Sequence, residues 1–501
     1  MNKKPFYITT TLPYVNAEPH IGFAMEIIRA DIIARVKKLA GHEVFFNTGT
    51  DEHGVKIYQK AFHFNEDTQA FVDRYVIKFR ELKDVLGLSD DIHFIRTTDR
   101  HHTKAAQEFW RRCDANGFIY KKLYKTKYCP GCELEITDTE LENGHCFIHP
   151  TTELILIDEE NYFFRFSAFQ KQLLDLYLEN PLFVIPDFRL NEIKVFVGRG
   201  LEDFSISRLA TKMPWGIPVP NDSAHVMYVW FDALINYVST VGWPDDEIAG
   251  KKSAGAFKKW WVETGGVVQY CGKDNLRQQS AMWQAMLMAA GLPPSHTIVI
   301  NGFITGEGGL KMSKSLGNTV DPVEIVKEYG TDALRYYVAR GLSPFGDSPF
   351  TMEKFKEGYN AHLANGIGNL TSRILKMAET NEVWIDTGKI QDSRSKIQEK
   401  NTKGPVDWVE FDKKLAGFEI NKVCDEIWER IMKSDKYIAE NAPFKLIKEN
   451  RVKGEKAVKY LLEELWLIAN LLTPILPNTS ETIKKLIIDK KTPVQPLFAR
   501  K

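Results

Sequence analysis

Apolar residues recur through residues 21–40 at Ile21, Ala24, Ile28, Ile32, Ala34 and Leu39, near the period of one helix face. Gly41 stands where a C-terminal cap belongs, so the spacing predicts an amphipathic helix ending there. Before it, PFYITTT (5–11) reads as a short strand that ends by Pro13; after it, HEVFFNTGTD reads as a buried strand running into a loop. Strand, helix and strand over about fifty residues make a parallel-sheet unit. The pattern returns at VVQYCGKD (267–274), a helix over 275–290 and the strand TIVING. Two separated halves of one nucleotide-binding sheet are expected.

Between the halves, over 116–228, the pattern changes to aromatics, short alternating runs and clustered cysteines, which predicts an insertion with its own small fold. The domains expected are 1–115 and 229–322 for the two halves of the sheet, 323–365 as a linker region, and 366–501 as a helical bundle. The bundle rests on three long amphipathic stretches: FKEGYNAHLANGIGNLTSRILKMAET, FEINKVCDEIWERIMKSDKYIAEN and VKYLLEELWLIANLLTPILP. The polar piece 381–408 reads as an exposed link.

Net charge is +0 over 501 residues, so a polyanion would have to be met by local basic patches. One such bias, Lys484, Lys485, Lys490, Lys491, Arg500 and Lys501, reads as a solvated face. No run of eighteen apolar residues occurs and the N-terminus lacks an apolar targeting stretch, so a soluble, cytoplasmic protein without membrane contact is expected.

Three stretches carry candidate chemistry. In GFITGEGGLKMSKSLGNTVDP (302–322), Lys311 and Lys314 follow a glycine-rich run that orders only when something binds, and two ammonium groups three residues apart suggest phosphate. At the start of the first helix, His20 and Gly22 present a histidine and a close backbone approach to the positive helix end, again a phosphate site. In YCPGCELEITDTELENGHCFIHP, Cys129 and Cys132 form C-x-x-C, and Cys146 and His149 form C-x-x-H thirteen residues later. Two such knuckles predict one closed, structural Zn²⁺ site, with His145 a competing ligand. Cys113, Cys271 and Cys424 are scattered and read as buried thiols.

Taken in order, LPYVNAEPHIG near the N-terminus, TGTDEHG, SISR, PWGIPVP, YVWFDALINY, GKD, KMSKSLGN and YGTDALRYY resemble the class I aminoacyl-tRNA synthetases, and within them the methionyl enzymes, over nearly the whole chain. The resemblance implies a Rossmann-type α/β catalytic domain split by a zinc-bearing connective insertion. A stem-contact region (323–365) and a helical anticodon-binding domain (366–501) would follow. It implies methionine activation by ATP and transfer to a tRNA with a CAU anticodon, initiator or elongator.

The same resemblance assigns roles to single residues. His20, Lys311 and Lys314 would be catalytic, with Mg²⁺ alongside, and the loop would close over ATP. His20, Gly22, Phe23, Glu26, Lys311, Ser313, Lys314 and Ser315 would contact the nucleotide. Asp51 would take the substrate's α-amino group, and Leu12, Tyr14, Trp230, Ala233, Tyr237 and Gln279 would line the methionine pocket. Aromatic walls suit a polarisable thioether. Asn369 and Arg373, four apart on one helix face, and Phe444 would read the anticodon. The chain closes with the bundle, so a monomer is expected.

Departures from the family pattern are few. Phe23 replaces the second histidine of H-x-G-H; Asn275, Gln278 and Gln279 stand in GKDNLRQQ where the family has Ile, Phe and His; Asn301 replaces a histidine before Gly302. They raise an alternative reading, a catalytically impaired tRNA-binding relative.

Overall fold

A computed structural model describes residues 3–16, 18–131, 134–136, 141, 142, 144–147, 150–245, 255–310, 312, 320–388 and 405–501. Its centre is a six-stranded parallel sheet. In chain order the strands needed here are β1 (Phe6–Thr10), β2 (Val44–Thr50), β3 (His93–Arg96), β4 (Ile119–Cys129), β5 (Ile155–Phe164), β6 (Val184–Ile185), β7 (Val268–Gly272) and β8 (Thr297–Asn301). The central sheet runs β3-β2-β1-β7-β8-β6. Its register sets Ile8 between Phe46 and Val268, and Val268 against Thr297. Both expected halves therefore join in one sheet.

One strand arrives from an unexpected place. Val184 and Ile185 pair in parallel with β8, although they lie inside the stretch 116–228 expected to be a separate insertion. Only part of that stretch stands off the sheet, built on the long antiparallel pair β4 and β5. A two-residue strand within the four residues between Pro181 and Pro186 leaves no alternation to read, which is why the return to the sheet was invisible in the pattern.

Helix α1 (Ile21–Leu39) covers the sheet, and it is buried nearly all round rather than amphipathic. The reason is a second layer. Helix α2 (Thr331–Tyr336), the turns Tyr337–Gly341 that follow it and the helix Trp408–Lys414 pack on its outer side. Arg29 and Asp31 are therefore buried along with the apolar residues, while Glu26 is buried toward β1. Buried charges need partners. Arg335 of α2 donates to Asp31 at 2.8 Å and to the carbonyls of Leu86, Pro474 and Ile475, tying α1, the end of the helix Thr68–Val85 and the bundle together. Burial would push the Asp31 carboxyl up, but Arg335 and Arg35 outweigh it and hold it below the usual range.

The bundle comprises α3 (Asn369–Asn381), α4 (Ile420–Asn441), α5 (Arg451–Leu471) and α6 (Pro477–Asp489). The helix expected from residue 355 onward is broken before α3 by wider turns over Tyr359–Gly368, with Gly366 outside helical geometry. Among the described residues no helix is long and apolar enough to cross a membrane.

Candidate active site

Strand order reverses about β1 and β7, and open parallel sheets bind ligands at the carboxyl ends of strands where that happens. The residues expected to carry chemistry leave from this edge. Leu12 and Tyr14 follow β1, Asp51 follows β2, Lys273 and Asp274 follow β7, and Gly302 follows β8.

His20 is the N-cap of α1, and its ring folds back so that Nδ1 accepts from the Gly22 amide at 3.1 Å. An accepting Nδ1 carries no proton, so in the neutral ring the proton sits on Nε2, which becomes the ring's donor. A Cβ on Gly22 would lie 3.0 Å from ring atoms Cε1 and Nδ1, so the glycine makes room for this fold-back. The next amides, of Phe23 and Ala24, both go to the His20 carbonyl. The amides of Gly22, Phe23 and Ala24 are thus engaged, and an arriving anion meets the imidazole and the helix dipole instead. Phe23 is buried with its ring edge-on to Phe79 at 5.8 Å, so its packing is directed into the core.

Glu26, further along α1, is also buried, and Oε1 accepts from the Thr11 amide just beyond β1 at 2.7 Å. Burial, reinforced by Asp274, pushes its carboxyl up to about 8 against the pull of the Thr11 amide. At neutral pH it is largely a neutral acid, able to donate as well as accept.

Most of the residues expected to line the methionine pocket follow β1 and β2 at the same sheet edge or lie in the helical segment 229–239. The Tyr14 and Asp51 backbones bridge, with Val15 donating to the Asp51 carbonyl at 3.0 Å, and the Asp51 side chain is buried. Tyr14 and Trp230 pack into one small cluster with Tyr128, Tyr228 and Val229. Leu12, Ala233 and Tyr237 are buried. The Tyr237 hydroxyl accepts from Gln279 Nε2 at 2.8 Å, and burial pushes that hydroxyl's pKa up. Gln279 in turn accepts from Gln269 at 2.6 Å, and Gln269 accepts from Ser295 at 2.5 Å. The sequence reading missed this relay, because Gln269 sits on β7 as a lone polar residue in an apolar run.

The lysine loop leaves β8 through a tight junction. A Cβ on Gly302 would come within 2.2 Å of the Gly346 carbonyl carbon, so the two backbones touch. Asp347 accepts from the Phe303 amide at 2.9 Å and pairs with Lys273 at 2.7 Å, joining the loop's stem to the turn after β7. Lys311, Ser313, Lys314 and Ser315 lie outside the described residues.

A split parallel sheet with a histidine-capped α1 and the stem of the lysine loop on one edge is the layout that the sequence resemblance implies. The family model for class I tRNA synthetases (M) matches residues 6–146 and 131–375. A methionine–tRNA ligase of Nostoc sp. is 40% identical over 486 residues, covering 96% of this chain and 89% of that protein. One of Thermotoga maritima is 39% identical over 97% of this chain and 76% of its own. Among solved structures, Mycobacterium tuberculosis methionyl-tRNA synthetase in complex with methionyl-adenylate superposes with a TM-score of 0.86 at 33% identity, covering 97% of this chain and 94% of its own. The chain belongs to the class I methionyl-tRNA synthetases.

In this synthetase the knuckle is described in part. Cys129 ends β4, and Cys146 lies in a two-residue strand pairing with Leu141 and Glu142. Both are buried and packed together with Leu141 and Leu154, an apolar shell that suits sulfur ligands. Cys132 and His149 lie outside the described residues, and no group of three metal-ligating side chains occurs among the described ones.

In the synthetase's bundle, Asn369 opens α3 on an exposed face, and Arg373 reaches Asp435 on α4 at 2.6 Å. Phe444, in the helix Pro443–Glu449 that follows α4, is 47% exposed, unlike a core phenylalanine.

Proposed function

We propose that this crevice binds methionine and ATP side by side, joins them as methionyl-adenylate, and passes the methionyl group to the 3′ end of a methionine tRNA. The observation carrying the site assignment is the junction of the Tyr14–Trp230 wall, the buried Asp51 and the His20 cap along one edge of the sheet. A substrate ammonium against Asp51 and a thioether among the aromatics would aim the substrate carboxylate toward the mouth of α1.

The methionine carboxylate oxygen attacks the α-phosphorus, the bond to the bridging oxygen breaks, and pyrophosphate departs with the electron pair. The protein supplies no nucleophile; it positions both substrates and stabilises developing charge on phosphate. His20 donates through Nε2–H, Lys311 and Lys314 close from the loop, and Glu26 faces the nucleotide as a neutral acid. A terminal ribose hydroxyl of the tRNA then attacks the activated carbonyl, and AMP leaves. Mg²⁺ would accompany the ATP phosphates and neutralise their charge.

Cys129, Cys132, Cys146 and His149 would hold one structural zinc, which supplies stability to the insertion and no chemistry to the reaction. The half-exposed Phe444 suits stacking on an unpaired base of the CAU anticodon, with Asn369 and Arg373 on the neighbouring helix. The synthetase is proposed to act as a monomer in the cytoplasm.

The test is ATP–pyrophosphate exchange with each of the twenty amino acids in turn. Exchange that depends on methionine alone is expected; equal exchange with another amino acid would overturn the pocket assignment.

A further inference from the structure

Behind the pocket lies a buried cluster to which none of the roles above extends. Asp232 sits on the short helix Val229–Ala233, between Trp230 and Ala233, and is fully buried. Its carboxylate accepts from two histidines, His53 Nδ1 on Oδ2 at 2.6 Å and His102 Nε2 on Oδ1 at 2.8 Å. His102 is itself fully buried, with Nδ1 at 2.9 Å from the Ser239 hydroxyl. Both carboxylate oxygens are therefore engaged by imidazoles.

His53 lies two residues beyond Asp51. The segment between is clamped from its other side. Glu52 pairs with Arg96 through both oxygens at 2.8 Å, and the Glu52 carbonyl accepts from Trp215 Nε1 at 2.6 Å. The His53 ring lies 5.7 Å from that of Trp215. The segment carrying the ammonium acceptor thus has two anchors. Arg96 fixes it toward β3, and Asp232 fixes it toward the helix that carries Trp230.

We propose that Asp232, gripped by His53 and His102, is a positioning residue that sets the gap between Asp51 and Trp230 and so the fit of methionine. The proposal rests on the pocket reading above. An amino acid is held at two ends, by its ammonium and by its side chain, and those ends are met by two different segments. A direct tie between the segments fixes the length that the pocket accepts. Burial alone would push the Asp232 carboxyl up, but the two histidines outweigh it and hold it near 2, so the acceptor stays charged. The groups facing ATP leave from α1, β7 and β8 and have no hydrogen bond to this cluster among those described above.

The test is the split between the two KM values in ATP–pyrophosphate exchange. His53→Ala should raise KM for methionine between about tenfold and a hundredfold, the scale of an ångström-sized misplacement, while KM for ATP stays within about threefold. His53→Asn, whose amide nitrogen can stand near the place of Nδ1, should recover most of the loss. His53→Gln, whose amide reaches farther along the ring, should not. The Gln variant conserves bulk and serves if the Ala variant does not fold. Both KM values rising together, or no difference between Asn and Gln, would overturn the proposal and leave the cluster a plain structural tie. Asp51→Ala and Trp230→Ala run alongside separate two failures. If neither changes KM for methionine, the pocket reading itself falls. If they do and His53→Ala does not, only this inference falls.

Discussion

Gly22→Ala should slow adenylate formation while leaving the fold as stable as before or slightly more so. The added methyl would sit 3.0 Å from Cε1 and Nδ1 of His20, about 0.5 Å inside the ordinary ~3.5–4.0 Å carbon contact. The ring must yield, because the methyl is fixed to the helix backbone. Yielding by that much stretches the 3.1 Å bond from the Gly22 amide to Nδ1 past useful length. That bond holds the proton on Nε2 and aims it, so the variant loses a preorganised donor rather than a whole side chain. Outright loss of such a donor costs ~10²–10³ in rate, and a misaimed one should cost about tenfold or more. Stability should move the other way. Alanine is favoured over glycine within helices by up to ~1 kcal/mol, and Gly22 has no positive φ to protect. Single-turnover adenylation and thermal unfolding, measured on the same protein, check the two halves. A rate within twofold of wild type would refute the argument that the His20 ring is held by this contact.

Glu26→Gln should gain stability relative to wild type between about pH 5 and pH 8. Native Glu26 keeps its proton up to about 8 whereas the unfolded chain releases it near 4.5, so wild-type stability falls as pH rises through that window, and glutamine has no proton to lose. Urea unfolding curves of the two chains should diverge accordingly, and parallel pH slopes would show that native Glu26 is ionised. One zinc per chain is expected by metal analysis of protein purified without added zinc, and Cys146→Ser should lose it; a folded, active, metal-free enzyme would refute the knuckle. Phe444→Ala should raise KM for tRNA by the ~1–3 kcal/mol of one lost stack while methionine-dependent exchange without tRNA stays near wild type. Equal loss in both assays would mean that the ring supports the bundle instead.

Much of this architecture was legible in the chain because each piece had a local signature. The helix at 21–40 ends within a residue of the expected place, and the strands at 5–11 and TIVING appear as read. What escaped was non-local. Nothing in the spacing of Ile21, Ala24 and Ile28 reveals that a second layer covers the outer face of α1, because that layer arrives three hundred residues later with Arg335. The strand Val184–Ile185 is too short to alternate. His53 and Asp232 each sat inside a quoted motif, but their meeting at 2.6 Å depends on the sheet bringing residues 179 positions apart together. A carboxylate in the apolar run YVWFDALINY was the one available signal, since a charge there must find partners or stay neutral.

Two of the departures from the family pattern, Asn301 and Gln279, argue in the same non-local way, and both make contacts that a working site can use. Asn301 replaces a histidine, and its side-chain oxygen accepts from Arg29 at 2.9 Å. Arg29 is buried on α1 and gives its remaining N–H groups to the carbonyls of Val338, Leu342, Ser343 and Pro344. Burial lowers its pKa to about 10, so it remains charged at neutral pH. An imidazole in place of Asn301 could serve such a guanidinium only while unprotonated, and would repel it once charged. An amide oxygen accepts at every pH. The asparagine is therefore the better partner for this arginine, and the pair pins α1 to the strand end from which the lysine loop departs. Gln279 follows the same logic, since it replaces a ring by an amide that both donates to Tyr237 and accepts from Gln269. Asn301 and Gln279 are thus each used by a neighbour, although Asn301 Nδ2 and Gln278 Oε1 are buried without a hydrogen-bond partner among the described residues, so the fit of the replacements is partial.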